Sequence, residues 1–291
     1  MRVTPLHPHL GARADGIDLR LPLTAELRAA IEAAMDRHAV LVFRGQDLDD
    51  DQHMAFGRAF GPVEHTRATV DAQRHRLKHA QMNDISNLDL DGEILKADDR
   101  RRMFNLGNRL WHSDSSFKPT PAKYSLLYAR SIPPEGGETE FADMRAAWDA
   151  LAPKMRLKLK DLVCWHSLLY SRAQLGFHGF TEEEQKQFAP VPQRMVRRHA
   201  GSGRLSLYLS AHIGRIDGFE VPEALALVRD LVEHATQREF VTQHRWQVRD
   251  LVMWDNRCTM HRGRAYDDTL YRRDMRRVTL EDSAPTLEQA L

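Results

Sequence analysis

The order of the secondary-structure patterns limits the possible folds more than any other feature of this sequence. The first clear pattern is a helix at residues 24–39, where Thr24 can cap the first turn and Leu27, Ile31 and Met35 recur every fourth residue. Short apolar runs typical of strands dominate much of the chain that follows. Helices at the front and short strands behind predict an α+β protein built on a β-sandwich or barrel.

The remaining elements can be placed by the same periodicities. Residues 64–110 are polar and weakly periodic, which predicts a mobile loop that covers substrate. Near the C-terminal half, Leu225, Val228, Val232 and Ala235 are predicted to share one face of a helix. Strands are predicted at 40–43, 111–117, 122–129, 204–210, 250–255 and 275–280, and further helices at about 51–60, at 141–151 and at 221–236.

The composition excludes several classes of protein. Among 291 residues, 42 Lys and Arg balance 41 Asp and Glu, so no net charge favours a nucleic acid or an anionic membrane as partner. The two cysteines, Cys164 and Cys258, are too few for a disulfide scaffold and suit a reducing compartment. The N-terminal residues lack the apolar core of a signal peptide, and no later segment approaches the length of a membrane span. A soluble, cytoplasmic protein is therefore expected.

The candidate chemistry begins in the segment WHSDSSF, residues 111–117. In an extended segment, side chains two residues apart project from the same face, so His112 and Asp114 are expected to converge on one point. An imidazole nitrogen and a carboxylate oxygen placed in this way can bind a metal ion. The alternatives are a buried histidine hydrogen-bonded to Asp114, or a chance pair in a chain with 15 histidines. The pair therefore needs a third ligand.

His261 is the best candidate for the third ligand, because it follows the buried-type strand of DLVMWDNRCTMHRG. Two histidines and one carboxylate form the facial triad of non-haem Fe(II) oxygenases, which leaves three metal positions open. Other histidines of the chain stay possible as the third ligand on spacing alone. Cys258 is interpreted as a small buried packing residue, since a thiolate ligand would change the chemistry of the triad.

A basic run, RRDMRR, lies shortly after His261. If this run is extended, Arg273 and Arg277 face one side, and Arg272 and Arg276 face the other side, towards solvent. Two arginines that point into a barrel need anionic partners, because burying an unpaired charge is costly. A dicarboxylate cosubstrate and an acidic substrate would provide two anions. The alternative is that these arginines form salt bridges with nearby Asp or Glu side chains.

Together these motifs resemble the taurine dioxygenase-type Fe(II)/2-oxoglutarate-dependent dioxygenases, and the chain is most similar to their 2,4-dichlorophenoxyacetate dioxygenase branch. His-x-Asp alone is a weak signal, but its combination with GGxT, WDNR-x-x-x-H and the paired arginines is specific. The similarity runs through essentially the whole chain, in the segments LHPHLGARADGIDLR, LVFRGQ, FGPVE, NDISN, WHSDSSF, GGETEFADMRAAWDAL, HAGSGR, HATQREF, DLVMWDNRCTMHRG and RRDMRR. The resemblance implies one dioxygenase domain over residues 1–291, with a double-stranded β-helix (jelly-roll) core and flanking helices.

The resemblance also implies roles for individual residues. Thr139 and Arg273 would bind 2-oxoglutarate, Thr139 by a hydrogen bond and Arg273 by a bidentate ion pair. Arg277 would bind the acidic group of the primary substrate, and Asn108 would lie close to that substrate. The catalytic residues, which are the Fe(II) ligands, would be His112, Asp114 and His261. With O2, such an enzyme converts 2-oxoglutarate to succinate and CO2 and hydroxylates the carbon beside the carboxylate of an aryloxyalkanoate, which releases a phenol and an oxo acid such as glyoxylate.

The substrate stays open at this point, because residues 71–87 and 168–185 match the herbicide-degrading branch least and should shape the pocket. The alternatives are the same chemistry on an alkanesulfonate such as taurine or on another small acid. From a different class, a catalytically silent metal-binding jelly roll is the alternative. A zinc hydrolase is disfavoured, since zinc sites use three histidines or two with a glutamate. The expected partner is a small acidic molecule, and a homo-oligomer is compatible with the family.

Overall fold

Short strands, as predicted, make up the β-structure of the protein. The computed structural model describes residues 1–65 and 76–291. In chain order the strands are β1 (Arg2–Pro5), β2 (Ala12–Asp15), β3 (Val40–Phe43), β4 (Asn83–Asp84), β5 (Ala122–Ser131), β6 (Thr139–Asp143), β7 (Val163–His166), β8 (Val191–Arg194), β9 (Val196–Arg198), β10 (Leu205–Leu207), β11 (Ile213–Ile216), β12 (Val241–His244), β13 (Leu251–Asp255), β14 (Thr259–Gly263) and β15 (Asp274–Glu281).

A seven-stranded sheet is the largest unit, and it joins strands from both ends of the chain. Its order is β1-β2-β3-β13-β5-β15-β4, with a parallel pairing between β2 and β3 and antiparallel pairings elsewhere. Within the described residues, the other sheets are β12-β6-β14, β11-β7-β8 and β10-β9. The central strands therefore pair across long sequence separations, which brings residues near 125, 255 and 277 together.

Helices flank these sheets. The first predicted helix is confirmed, and Thr24 caps it by accepting a hydrogen bond from the backbone N–H of Leu27. The helices are α1 (Ala25–His38), α2 (Asp50–Arg58), α3 (Arg100–Asn105), α4 (Met144–Ala150), α5 (Pro153–Leu159), α6 (Leu168–Ala173), α7 (Glu182–Gln187) and α8 (Val221–Ala235), with 3-10 turns at Leu106–Arg109, Arg238–Phe240 and Thr286–Glu288. No helix among the described residues combines the length and the apolar character that a membrane crossing requires.

The apolar run of β3 shows how the large sheet is buried on both faces. Leu41 and Phe43 pack on one face, in a cluster that includes buried side chains of α1 and α2. Val40 and Val42 pack on the opposite face. Because successive side chains of a strand alternate between faces, a strand covered on both sides must be apolar throughout. The run VLVF meets this requirement.

The β12-β6-β14 sheet covers that second face. Phe141 of β6 and Trp246, which follows β12, lie in the same core cluster as Val42 and Trp254 of the large sheet. The rings of Phe141 and Trp254 are 5.5 Å apart between centroids. Two sheets thus enclose a shared core, and strands β6 and β14 carry one wall of the site described below.

A further core cluster joins α4 and α8 to the small sheets. In α8 the buried residues are Ala224, Leu227, Val228, Leu231 and Ala235. The predicted face is therefore confirmed for Val228, Val232 and Ala235, which pack in or against this cluster, but not for Leu225, which is only partly buried and lies outside it. The segment ALALVRDLV is apolar at so many adjacent positions that its periodicity does not distinguish the two faces.

The structure corrects two further predictions of secondary structure. Residues 111–117 do not form a strand: His112 makes an isolated bridge, and residues 114–117 form turns that include Ser115 at φ 52°. The side chains of this segment bond to residues elsewhere in the chain, as Ser115 does to Glu64 and Ser116 to His166, and these contacts outweigh the alternating pattern. In residues 141–151 the first three residues belong to β6, and the helix begins only at Met144.

The predicted covering loop at residues 64–110 includes residues 66–75, which lie outside the described residues. The described remainder contains β4, α3 and the 3-10 turn Leu106–Arg109. Several residues of this part line the pocket described below, including Ile85 and Leu106. Its position agrees with a segment that contacts substrate, whereas its mobility stays a prediction.

Candidate metal centre and cosubstrate pocket

A backbone bridge brings two distant histidines together. The N–H of His112 donates to the carbonyl of His261 at 3.0 Å, and the N–H of His261 donates back at 2.8 Å. The two imidazole rings lie 4.2 Å apart between centroids. Residues separated by about 150 positions are thus placed side by side through backbone hydrogen bonds, before any side-chain interaction is considered.

Asp114 reaches the same point from a turn and not from a strand. The turn after His112 directs the carboxylate towards both rings, so that Nε2 of each histidine lies 3.7 Å from a carboxylate oxygen. One ligand atom from each of the three residues lies within 4.8 Å of the others, and all three side chains are buried. The predicted convergence is therefore present, although the predicted strand geometry is wrong.

Hydrogen bonds fix the orientation of these side chains. The carbonyl of Leu110 accepts from Nδ1 of His112 at 2.7 Å, which leaves Nε2 unprotonated and free to bind a cation. The carboxylate of Asp114 accepts from Ser125 Oγ at 2.7 Å, and its backbone N–H donates to Asn256 Oδ1 at 3.1 Å. Asn256 in turn donates to Ser125 at 3.0 Å. The metal-facing groups are held by the strands behind them.

The protonation states of this cluster suit a divalent cation. Burial lowers the pKa of His112 and of His261, so both imidazoles are neutral at neutral pH. Burial alone would raise the pKa of the Asp114 carboxyl, but the Arg277 guanidinium lowers it to about 2. Two neutral imidazoles and one carboxylate are the donor set expected for a non-haem Fe(II) site. Nδ1 of His261 is buried without a hydrogen-bond partner in the described residues, so this ring is fixed by packing.

A pocket adjoins the cluster and collects most of the residues proposed from the sequence. Its lining includes His112, His261, Thr139, Asn108, Arg273 and Arg277. Trp246 Nε1 donates to Thr139 Oγ1 at 3.0 Å. Because the Thr139 oxygen already accepts this bond, its O–H is left to donate to an anion in the pocket.

Arg273 has donors that no acidic side chain of the described residues uses. Its backbone N–H donates to Asn87 Oδ1 at 2.8 Å, and its guanidinium contacts the Ile85 carbonyl at only 3.4 Å. Its Nε is buried without a partner, and no Asp or Glu of the described residues pairs with it. Burial lowers the pKa of Arg273. A charged fork with unused donors that lines a pocket fits a bidentate carboxylate.

Arg277 has the same orientation but a different environment. Its Nη1 donates to Asp114 Oδ1 at 2.5 Å, and its Nε has no partner in the described residues. The salt-bridge alternative considered from the sequence is thus present at Arg277. Its partner, however, is Asp114, the acid of the His-Asp-His cluster. Arg277 can therefore hold the Asp114 carboxylate and still offer N–H groups to a second anion.

The outward arginines follow the predicted alternation only in part. Arg272 is exposed and pairs with Glu93 at 2.8 Å. Arg276, expected in solvent, is largely buried and pairs with Asp50 of α2. The helix covers this side of the strand, which the local sequence pattern does not reveal.

A second group of potential ligands, His199, Asp255 and Cys258, is buried nearby. His199 Nε2 donates to Asp255 Oδ2 at 2.9 Å, and Arg257 forms a forked pair with the same carboxylate. A guanidinium already balances the acid, so this group is structural and connects the WDNR segment to the HAGSGR segment. Cys258 is buried, as expected for a packing residue.

Comparison with known proteins assigns the family. The model of the "Taurine catabolism dioxygenase TauD, TfdA family" matches residues 2–279. The chain belongs to this family. A 2,4-dichlorophenoxyacetate dioxygenase dependent on α-ketoglutarate, from Cupriavidus pinatubonensis, is 49% identical, with 96% of this chain and 97% of the relative covered. One of the same description from Burkholderia sp. is 47% identical, with 94% and 92% covered.

Among solved structures, the crystal structure of AAD-2 in complex with Mn(II) and N-oxalylglycine matches with a TM-score of 0.95 and 53% identity, covering 98% of this chain and 99% of that one. The predicted enzyme class is therefore confirmed: the TauD/TfdA protein is an Fe(II)/2-oxoglutarate-dependent dioxygenase that uses O2. Its mixture of helices and sheets is that of its structural neighbours. The family assignment disfavours the silent binding protein and the zinc hydrolase.

Several residues that support the site were not identified from the sequence. Asn256 lies in the WDNR motif, and its position between the aspartate and the arginine could have drawn attention to it. Ser125 and Trp246 carry no local signal, because each acts through a contact made only in the folded protein.

Proposed function

We propose that this dioxygenase oxidises an aryloxyacetate such as 2,4-dichlorophenoxyacetate, with release of a phenol and glyoxylate. The observation that carries the proposal is the presence of two separate guanidiniums beside the His-Asp-His cluster. Within the described residues, Arg273 has no acidic partner and Arg277 has an unused donor. Two anionic ligands are required, which fits one dicarboxylate cosubstrate and one acidic substrate. The names of the two relatives with nearly half their residues identical support an aryloxyacetate.

The proposed roles follow from this geometry. His112, Asp114 and His261 would hold Fe(II), which together with 2-oxoglutarate supplies the oxidant derived from O2. Arg273 and the Thr139 hydroxyl would bind the distal carboxylate of 2-oxoglutarate. The substrate side of the pocket would be formed by Arg277, which binds the carboxylate, and by Asn108.

The chain would direct oxidation by position. If Arg277 holds the substrate carboxylate beside Asp114, the carbon between this carboxylate and the ether oxygen lies next to the metal cluster. One oxygen atom of O2 enters succinate and the other forms the hydroxyl group on that carbon, while CO2 leaves 2-oxoglutarate. The resulting hemiacetal breaks its bond to the aryl oxygen and yields a phenol and glyoxylate without further catalysis.

The fold proposal is finer than the mixed sheets described above. We infer that the seven-stranded sheet and the β12-β6-β14 sheet are the two halves of a double-stranded β-helix, with the metal cluster at its open end. The shared core between the two sheets supports this. We also propose a single domain over residues 1–291 and a cytoplasmic location.

A substrate panel tests the function. The enzyme with Fe(II), ascorbate and 2-oxoglutarate is incubated with aryloxyacetates, the matching aryloxy alcohols and taurine, and phenol, sulfite and succinate are measured. We expect phenol and succinate in equal amounts from an aryloxyacetate, and little from the neutral alcohol. Release of sulfite from taurine, without phenol from any aryloxyacetate, would show that the substrate is an alkanesulfonate.

A further inference from the structure

A third buried arginine lies close to the pocket, and the roles proposed above do not use it. Arg172, at the end of α6, is only 6% exposed. The one hydrogen bond of its guanidinium in the described residues is a long contact of 3.3 Å from Nη1 to Ser171 Oγ, and its Nε is buried without a partner there. Its guanidinium lies 4.5 Å from the centre of the Phe104 ring. No Asp or Glu of the described residues pairs with it.

Such an arrangement is unfavourable for the isolated protein. Burying a charge without a counter-ion is costly, and the contact with a ring face recovers only part of that cost. Burial and the nearby Arg277 lower the pKa of Arg172 to about 10, so the group is still cationic at neutral pH. Its other neighbours in the surrounding elements are His212 and His112, both held neutral by burial.

The position of Arg172 connects it to the substrate side of the pocket. A Cβ on Gly107 would lie 2.1 Å from Cζ of Arg172, so the guanidinium packs directly on the backbone of this glycine. The residues on either side of Gly107, Leu106 and Asn108, line the pocket. Arg172 therefore lies immediately behind the pocket wall.

Arg172 belongs with Arg277 and not with Arg273. The charge of Arg277 acts on Arg172, whereas the pKa of Arg273 reflects its burial and the nearby Tyr266. Its contact with Gly107 also places Arg172 behind Asn108, on the side of the pocket proposed for the primary substrate. Only the substrate end has a second, unpaired cation behind it among the described residues.

We propose that Arg172 is a specificity-determining residue whose unpaired charge, held behind the wall of Leu106 and Asn108, adds to Arg277 in attracting the anionic group of the primary substrate. This inference rests on the proposed acidic substrate. Arg172 acts across the wall and does not touch the reacting atoms, so it is a positioning residue. It favours an acid over a neutral molecule of the same shape.

The test compares Arg172→Met, which removes the charge, with Arg172→Lys, which keeps it. Arg100→Met is the matched control, because Arg100 of α3 lies over Phe177 of the same aromatic cluster but pairs with Glu184 at 2.7 Å. Affinities for phenoxyacetate and for phenoxyethanol are measured by calorimetry with Mn(II) and N-oxalylglycine bound. KM values for phenoxyacetate and 2-oxoglutarate are measured with Fe(II).

We expect Arg172→Met to lower the affinity for phenoxyacetate about tenfold, since one charge is removed from a site with an effective dielectric constant of about 20. Its affinity for phenoxyethanol and its KM for 2-oxoglutarate should stay within about twofold. Arg172→Lys should keep most of the affinity for the acid, and Arg100→Met should change the affinity for neither ligand. Equal losses in the Met and Lys variants, or equal losses for the acid and the alcohol, would show a packing role and overturn the inference.

An error in the proposed function would appear in the wild-type enzyme, whereas an error in the role of Arg172 would appear only in its variants. If the wild-type enzyme releases no phenol but oxidises another acid of the panel, the same comparison is made with that acid and its neutral analogue. If the wild-type enzyme prefers neutral substrates, both the proposed function and the role of Arg172 are wrong.

Discussion

Arg273 offers a test in which activity and stability should move independently. Its guanidinium has unused donors, and it has no acidic partner in the described residues. Replacing it by glutamine removes the expected partner of the 2-oxoglutarate carboxylate but breaks no ion pair of the ligand-free protein. We therefore expect Arg273→Gln to bind 2-oxoglutarate weakly while its free energy of unfolding stays within about 1 kcal/mol of wild type.

The size of the binding defect follows from the burial of the group. Removing one partner of a buried ion pair costs roughly 3–5 kcal/mol, and the pocket is open to solvent on one side, so the lower end applies. At 1.4 kcal/mol per factor of ten, KM for 2-oxoglutarate should rise by about 100-fold. Arg273→Lys keeps the charge but loses the fork, which predicts an increase of about tenfold.

Arg276 provides the matched control, because it lies three residues away but pairs with Asp50 on the other side of the strand. Arg276→Gln should lower the free energy of unfolding by about 3 kcal/mol and leave KM for 2-oxoglutarate unchanged. Urea denaturation without ligands and initial rates at varied 2-oxoglutarate measure the two quantities. The assignment fails if Arg273→Gln keeps a KM within threefold of wild type, or if Arg276→Gln shows the larger change in KM.

Three other outcomes are expected. His261→Ala should stay folded by circular dichroism, lose turnover and bind Mn2+ at least about 100-fold more weakly in calorimetry; full activity would disprove the triad. Arg277→Gln should raise KM for the aryloxyacetate about 100-fold and change KM for 2-oxoglutarate less than threefold. The opposite pattern would show that Arg277 binds 2-oxoglutarate and Arg273 binds the substrate. Burial opposes protonation of His199, but Cys258 and Asp255 raise its pKa from 6.5 to about 10. The contribution of this histidine to stability is therefore complete below about pH 6.5 and is lost as pH rises towards 10. Denaturation curves of His199→Gln should lose this decline, and an unchanged pH dependence would contradict the assigned pair.

The metal cluster could be predicted from the sequence in composition but not in geometry. The spacing of His112 and Asp114 suggested a strand, so two residues that the structure does bring together were chosen for a reason that it does not support. The turn includes Ser115 in the left-handed region, and Asp114 just before it bonds to Ser125 and Asn256, which lie outside the segment. A pattern of residue types identifies which groups can bind a metal, whereas their approach is decided by contacts that no local pattern contains.

The arginines show the same limit from the other direction. Alternation along the strand correctly placed Arg273 and Arg277 towards the pocket. It could not show that α2 covers Arg276, nor that Arg172 of a different helix lies behind Gly107. A period-two pattern assigns each residue to one face of a strand. Which helix or sheet packs on that face depends on how the elements are arranged in space.

The two ends of the pocket rest on different kinds of structure. Thr139 begins strand β6, and Arg273 directly precedes β15, so the end of the pocket that we propose for 2-oxoglutarate is attached to paired strands with a shared core. Asn108 and Arg172 belong to a 3-10 turn and a six-residue helix, where fewer backbone bonds oppose change. Substitutions in residues 76–110 and 168–188 should therefore alter which acid is oxidised at little cost to 2-oxoglutarate binding. The same division explains why the cosubstrate chemistry can be inferred from sequence with more detail than the identity of the acid.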